Sequence, residues 1–177
     1  MSARCGRLVG AVVLVSVVLA LLASGPAGAA KKLNACTIVA QAQLETAFGN
    51  AFETPQDSSI GPFKASCRFP ARDIDGDDLN LFLTNDVKGG IKDSIGSYFA
   101  TKKSFQTVYE QATPVTGVGK QAYSAFDGAG SIAQGALLVL DGKNHAALIV
   151  STGSGVTAEN NVTRGEAVAK LILPKLK

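Results

Sequence analysis

Histidine, cysteine and tryptophan are scarce in this 177-residue chain, and their scarcity excludes several kinds of site. The sequence contains one His, three Cys and no Trp. Because His145 is the only histidine, neither a histidine cluster nor a His-x-x-x-His zinc motif is possible. No Gly-x-Ser-x-Gly elbow and no Ser-x-x-Lys pair occurs, so these serine-nucleophile patterns are missing as well. We therefore predict no catalytic residue, no metal site and no cofactor.

A strong excess of charge is also missing. Seventeen Lys and Arg stand against fourteen Asp and Glu, and two of the basic residues, Arg4 and Arg7, lie in the first segment discussed below. Without them the chain is close to neutral. Nothing in its charge balance favours a nucleic acid or an anionic membrane as partner.

The first thirty residues have the order of a secretory signal peptide. Arg4 and Arg7 precede an uncharged apolar run at residues 8–23, and an Ala-Gly-Ala cleavage site follows at residues 27–29. We predict that residues 1–29 are this signal, that the protein is secreted or held in the cell envelope, and that the mature chain has no membrane span. A spanning helix needs roughly 20 apolar residues, and an uncleaved anchor is the alternative.

Cysteine usage fits this compartment. Cys5 lies in the predicted signal, which leaves Cys36 and Cys67. Two cysteines in an exported chain most simply form one disulfide. Two free thiols are a second interpretation. The third is a lipid-modified Cys36, since Leu33-Asn34-Ala35-Cys36 superficially resembles a lipobox.

Hydrophobic periodicity and turn residues predict a single α+β domain over residues 30–177. We expect a four- or five-stranded antiparallel sheet with helices packed on one face. The first predicted helix covers residues 37–48 and has Gly49 as its C-terminal cap. The second covers residues 87–100. The last begins with a Thr163–Glu166 capping box and buries Val168, Leu171 and Ile172. The predicted strands cover residues 64–70, 78–84, 120–126, 136–140 and 146–151, with tight turns at Asp75-Gly76 and residues 141–144 and loops at residues 50–63 and 114–119.

Four further motifs could suggest a binding or modification site, and we interpret each first as a structural feature. Asp73, Asp75, Asp77 and Asp78 do not fit a calcium loop, and we expect a solvated hairpin tip. Residues 117–122 match G-x-G-x-x-A, yet no strand-to-helix context surrounds them, so we expect a glycine turn. His145 is expected at the surface of a hairpin. Asn161-Val162-Thr163 is a glycosylation sequon that matters only in a cell that glycosylates exported chains.

Several landmarks together resemble a family of small bacterial envelope proteins of unknown function, exported or lipid-anchored and common among actinobacteria. They are Cys36-Thr37-Ile38-Val39 before a short helix that ends at Gly49, Cys67-Arg68-Phe69, Val115 to Tyr123 with Gly-Val-Gly-x-x-Ala, and a closing amphipathic helix. The resemblance implies an α+β fold and a Cys36–Cys67 bridge, and it implies no activity. Ala40 departs from the family's usual Ser or Thr.

We expect a non-enzymatic module that binds an envelope or extracellular partner. The loops at residues 50–63 and 113–119 are the candidate binding segments, since irregular segments often carry function. A carrier of an apolar, lipid-like ligand in a cavity between helices and sheet is the alternative. A hydrolase with an unrecognised carboxylate pair or a lysine base is the third possibility.

Overall fold

Antiparallel pairing of consecutive strands builds most of the fold. The computed structural model describes residues 33–58, 65–84, 112–141 and 145–176. Within these ranges the elements are α1 (Gln41–Phe48), β1 (Gln56–Asp57), β2 (Ala65–Phe69), β3 (Asp78–Thr84), β4 (Thr113–Val115), β5 (Gln121–Asp127), β6 (Ala133–Leu140), β7 (Ala146–Gly153) and α2 (Ala158–Ile172), followed by a 3₁₀ turn at Leu173–Lys175. Leu33–Lys177 forms one compact unit. The predicted signal at residues 1–29, the predicted helix at 87–100 and the turn residues 142–144 lie outside the described residues.

The described strands form one seven-stranded sheet in the order β1-β2-β3-β7-β6-β5-β4, with every neighbouring pair antiparallel. The α+β class is therefore confirmed, while the expected four or five strands are too few. The two additional strands are β1 and β4, one at each edge. They have two and three residues, too short to show the alternation of polar and apolar residues by which strands are predicted.

The prediction of a loop over residues 114–119 is wrong at its start, because Pro114 lies inside β4. Proline has no N–H to donate, and a strand accepts it where that position faces away from the sheet. Among the described strands β4 pairs only with β5, so no described strand needs a donor from the other side of Pro114. An edge position explains how a residue that signals a turn ends up in a strand.

The main core lies between the two described helices and one sheet face. Leu79, Leu81 and Leu83 of β3 alternate toward this face, where Leu44 and Phe48 of α1 are also buried. The ring of Phe52 packs in a tilted arrangement against two others. Its centroid lies 5.5 Å from that of Phe48 and 5.7 Å from that of Phe69. The described helices thus cover one face, as expected.

Helix α2 begins six residues earlier than predicted. Thr157 caps it: its hydroxyl accepts a hydrogen bond from Asn160 N, and Asn160 Oδ1 accepts one from Thr157 N. The predicted capping role of Thr163 and Glu166 is wrong, because an asparagine serves here where Glu or Gln is the usual partner. The burial of Val168 and Ile172 is confirmed, and Leu171 packs partly against the same core.

Helix α1 begins at Gln41, four residues later than predicted. Residues 35–37 form a turn instead, in which Asn34 Oδ1 accepts a hydrogen bond from Cys36 N. Gly49 ends the helix in the left-handed conformation at φ +77° and donates its N–H to Glu45 O. The predicted glycine cap is confirmed.

Candidate functional site

The outer edge of the sheet is irregular where the chain leaves α1. Phe52 pairs with Ala71, while Gln56 pairs with Arg68. The outer strand therefore holds one more residue than its partner between these pairs, and Pro55 lies in the extra length. Such bulges bend a strand away from its neighbour and are frequent beside binding and active sites.

A hydrogen-bonded network holds this bulge against α1. Glu45 Oε1 accepts from Phe52 N at 3.0 Å and from Gln41 Nε2 at 2.9 Å. Phe52 O accepts from Gln41 Nε2 at 2.9 Å and from Arg72 Nη2 at 3.0 Å. Arg72 Nη2 also lies 4.0 Å from Glu45 Oε1. Both backbone groups of Phe52 are thus satisfied by side chains, and three polar side chains are fixed in place.

These contacts keep Glu45 ionised. The N–H of Phe52 and the amide of Gln41 donate to its carboxylate, and the guanidinium of Arg72 adds an opposite charge. Together they lower the pKa of Glu45 below its ordinary value of 4.5, against a smaller opposing effect of burial. A carboxylate of this kind accepts hydrogen bonds and does not supply a proton near neutral pH.

An open cleft of about 470 Å³ lies at the bulge and is within the size range of small-molecule sites. Its lining residues are Gln41, Phe52, Glu53, Thr54, Gln56 and Arg72. The ring of Phe52 is buried in the core, so the lining that a ligand meets is polar. It offers amide, hydroxyl, carboxylate and guanidinium groups, and among its described residues there is no His, Ser or Cys.

The predicted loop at residues 50–63 therefore contributes to a cleft, while Gln41 and Arg72 were missed. Gln41 lies within the predicted helix at residues 37–48, where nothing in the sequence marks it as a binding residue. Arg72 has no sequence signal at all, because it approaches residue 52 only through the pairing of two segments about twenty positions apart. Pro55, three residues after Phe52, is the only local hint of the bulge, since proline within a strand is typical of edges and bulges.

The predicted cysteine pair is bonded. Cys36 and Cys67 form a disulfide with their Cα atoms 5.1 Å apart, so the interpretations with free thiols or an acylated Cys36 do not hold for this structure. The bridge attaches the segment before α1 to β2. No nucleophilic or metal-binding thiol remains at either position.

The expectation of a solvated acidic tip is wrong for two of its four residues. Asp77 is 4% exposed. Its carboxylate accepts hydrogen bonds from Arg164 Nη1 at 2.6 Å and from Gly155 N at 3.0 Å. The guanidinium of Arg164 also lies 5.0 Å from the ring centroid of Phe48. Asp78 pairs with Arg68 at 2.7 Å. Turn signals in the sequence mark a loop but cannot show that a distant helix supplies an arginine to it.

His145 is more enclosed than predicted. Its Nδ1 lies 2.8 Å from Asp141 Oδ2, and both side chains are mostly covered. Asp141 N also donates to His145 O, so the pair closes the β6–β7 hairpin. This contact between the end of β6 and the start of β7 gives the imidazole a structural role.

The glycosylation sequon is sequestered. Asn161 is 1% exposed, and its Nδ2 donates to Ser124 Oγ, Ala125 O and Ala136 O. A glycan on this nitrogen would break these contacts and would have no path to solvent. Asn161 is a core residue of α2, and the folded chain carries no usable acceptor at this sequon.

The glycine motif at residues 117–122 is a turn, as predicted. Gly117 and Gly119 have φ values of +87° and +60°, and a Cβ on Gly119 would lie 2.5 Å from Leu140 O. Strand β5 follows where a dinucleotide fingerprint requires a helix. The residues serve backbone geometry at a close approach of two segments.

Among the described residues, no group of three His, Cys, Asp or Glu side chains is placed to hold a metal ion, and none of the helices they form is long and apolar enough to cross a membrane. Comparison with protein-family models, with curated proteins and with solved structures found no match.

Proposed function

We propose that this chain is an exported, non-enzymatic binding module of the cell envelope or extracellular medium, and that the cleft at the bulge binds a small polar ligand. The observation that carries the proposal is the network around Phe52. It fixes Gln41 and Arg72 at the cleft before any ligand arrives. Groups held in advance lose little conformational freedom on binding, which favours affinity.

Glu45 and His145 are poorly suited to act as acid or base in a hydrolysis reaction. A carboxylate pair that cleaves a glycosidic bond needs one member with a raised pKa to act as the acid. Glu45, beside the cleft, has its pKa lowered instead. The covered His145 is tied to Asp141 within a hairpin. These features support binding without chemistry.

Carriage of an apolar ligand remains the second candidate because a further apolar cluster lies on the sheet face opposite α1 and α2. Its buried members are Phe82, Ala136, Leu138, Ala146, Leu148 and Val150. Such a ligand has no room between α2 and β6. A Cβ on Gly165 would lie 2.8 Å from Leu137 Cδ2, and one on Gly135 only 2.3 Å from Asn161 Cγ.

Native mass spectrometry of the protein purified without denaturation tests both candidates. Thr54→Trp fills the polar cleft, and Thr163→Trp makes the same change at an exposed position on α2. We expect a bound polar compound on the wild type and on Thr163→Trp that is absent from Thr54→Trp. A lipid-like mass on all three proteins would favour the carrier. No bound mass on any of them would count against both.

A further inference from the structure

Two opposite charges line the cleft without pairing with each other. The carboxylate of Glu53 makes no hydrogen bond or ion pair with any described residue, although it lines the same cleft as Arg72. Arg72 uses only Nη2, toward Phe52 O and Glu45. Its Nε and Nη1 have no partner in the described parts of the chain, and 62% of its side chain is exposed.

A ligand of one charge sign fits this lining badly. An anion would pair with Arg72 but would also face Glu53 and the ionised Glu45. A cation would pair with Glu53 and face Arg72. A neutral hydroxylated ligand would gain only hydrogen bonds that water supplies equally well in an open cleft. A ligand with both charges satisfies both residues.

Resting on the proposed function, we propose that the cleft binds a zwitterion of amino-acid or short-peptide size, with its carboxylate on Arg72 and its ammonium on Glu53. The free donors of Arg72 suit a carboxylate, which takes two parallel N–H bonds from a guanidinium. The Oε1 of Gln41 accepts no hydrogen bond from the described residues and can accept one from a ligand amide, while its Nε2 donates to Glu45 and Phe52.

Calorimetric titration of the full-length chain with alanyl-alanine and its blocked forms tests this assignment. N-acetylation removes the ammonium, and C-terminal amidation removes the carboxylate. We expect each block to weaken binding about tenfold, as loss of one charged hydrogen bond predicts. In Glu53→Gln the free dipeptide binds about tenfold more weakly and acetylation has no further effect. In Arg72→Gln the same holds for amidation.

The controls are Glu159→Gln and Lys170→Gln, two exposed residues of α2, which should bind like the wild type. Because the Glu53 carboxylate makes no hydrogen bond or ion pair with the described residues, its variant reports on the ligand. Glucose is titrated as a neutral hydroxylated comparison. Equal binding of free and acetylated dipeptide, tighter binding of glucose than of the dipeptide, or no dipeptide binding would each overturn the zwitterion assignment. The proposed function fails separately, if native protein carries no compound that Thr54→Trp removes.

Discussion

Asp77 shows how a single residue can connect distant parts of this chain. It lies in the turn between β2 and β3 and binds Arg164 of α2, while its backbone carbonyl accepts from Asn50 Nδ2. Gly153 and Gly155 lie so close that a Cβ on either would come within 3 Å of the Asp77 side chain or backbone. The aspartate thus connects the hairpin turn, the end of β7 and the last helix.

Replacing Asp77 by Ala should lower the free energy of unfolding by about 3 kcal/mol, because it leaves the guanidinium of Arg164 uncompensated in a covered position. Asp73→Ala, at an exposed position of the same turn, should change it by less than about 0.5 kcal/mol. Urea denaturation of both variants measures the difference. Equal effects would mean that the buried pair adds nothing to stability.

Glu45 should make stability depend on pH in the acidic range. Its pKa is lowered in the folded state, so its contribution is complete above the unfolded value and disappears as pH falls through the folded value. We expect Glu45→Gln to be less stable than wild type near neutral pH, with a gap that narrows below pH 4.5. Urea midpoints between pH 3 and 7, roughly the range this linkage covers, measure it.

Glu53→Gln controls for the loss of one carboxylate from the same region. A gap between wild type and Glu45→Gln that stays constant with pH, or widens in acid, would show that the contacts of Phe52 and Gln41 do not favour the ionised form.

At the scale of the elements, the start of α2 separates two capping hypotheses. Thr157→Ala should cost about 1 kcal/mol, since it removes the acceptor for Asn160 N. Thr163→Ala, at the position favoured by the sequence pattern, should be nearly neutral, because its hydroxyl only donates to Glu159 O within the helix. Thermal or urea denaturation of the two variants decides between them. A larger loss at Thr163 would contradict the observed cap.

The edges of the sheet are elements that local patterns identify poorly. Pro55 interrupts one edge beside β1, and Pro114 lies in β4 at the other. Proline at an edge removes a donor that another strand would need. Both residues lie in segments predicted as loops, and in the fold they lie at the two edges of the described sheet. The cleft itself arises at one of these edges.

At the scale of the whole molecule, the Cys36–Cys67 bridge joins segments separated by 31 positions. Loop-closure entropy predicts that its reduction lowers the free energy of unfolding by about 3–4 kcal/mol. Urea denaturation with and without a reductant measures this without any change in packing. The Cys36→Ala/Cys67→Ala variant should be insensitive to reductant. A wild type that is equally insensitive would contradict the stabilising role.

Sequence alone determined the features that depend on local chemistry. Hydrophobic periodicity indicates the α+β class and the antiparallel β2–β3 and β6–β7 hairpins. The conformations that glycine permits indicate the cap at Gly49 and the turn at Gly117 and Gly119. The pairing of Cys36 with Cys67 was the simplest option for the two cysteines outside the predicted signal, and the structure confirms it.

Tertiary structure alone decided what depends on contacts between distant segments. Three features join residues that no short pattern links: the edge strands, the buried Asp77–Arg164 pair, and the cleft with Gln41, Glu53 and Arg72. Burial and ion pairing are properties of neighbours in space, and an exposed and a buried aspartate look alike in a sequence. For that reason the local structure was largely predictable, whereas the candidate site was not.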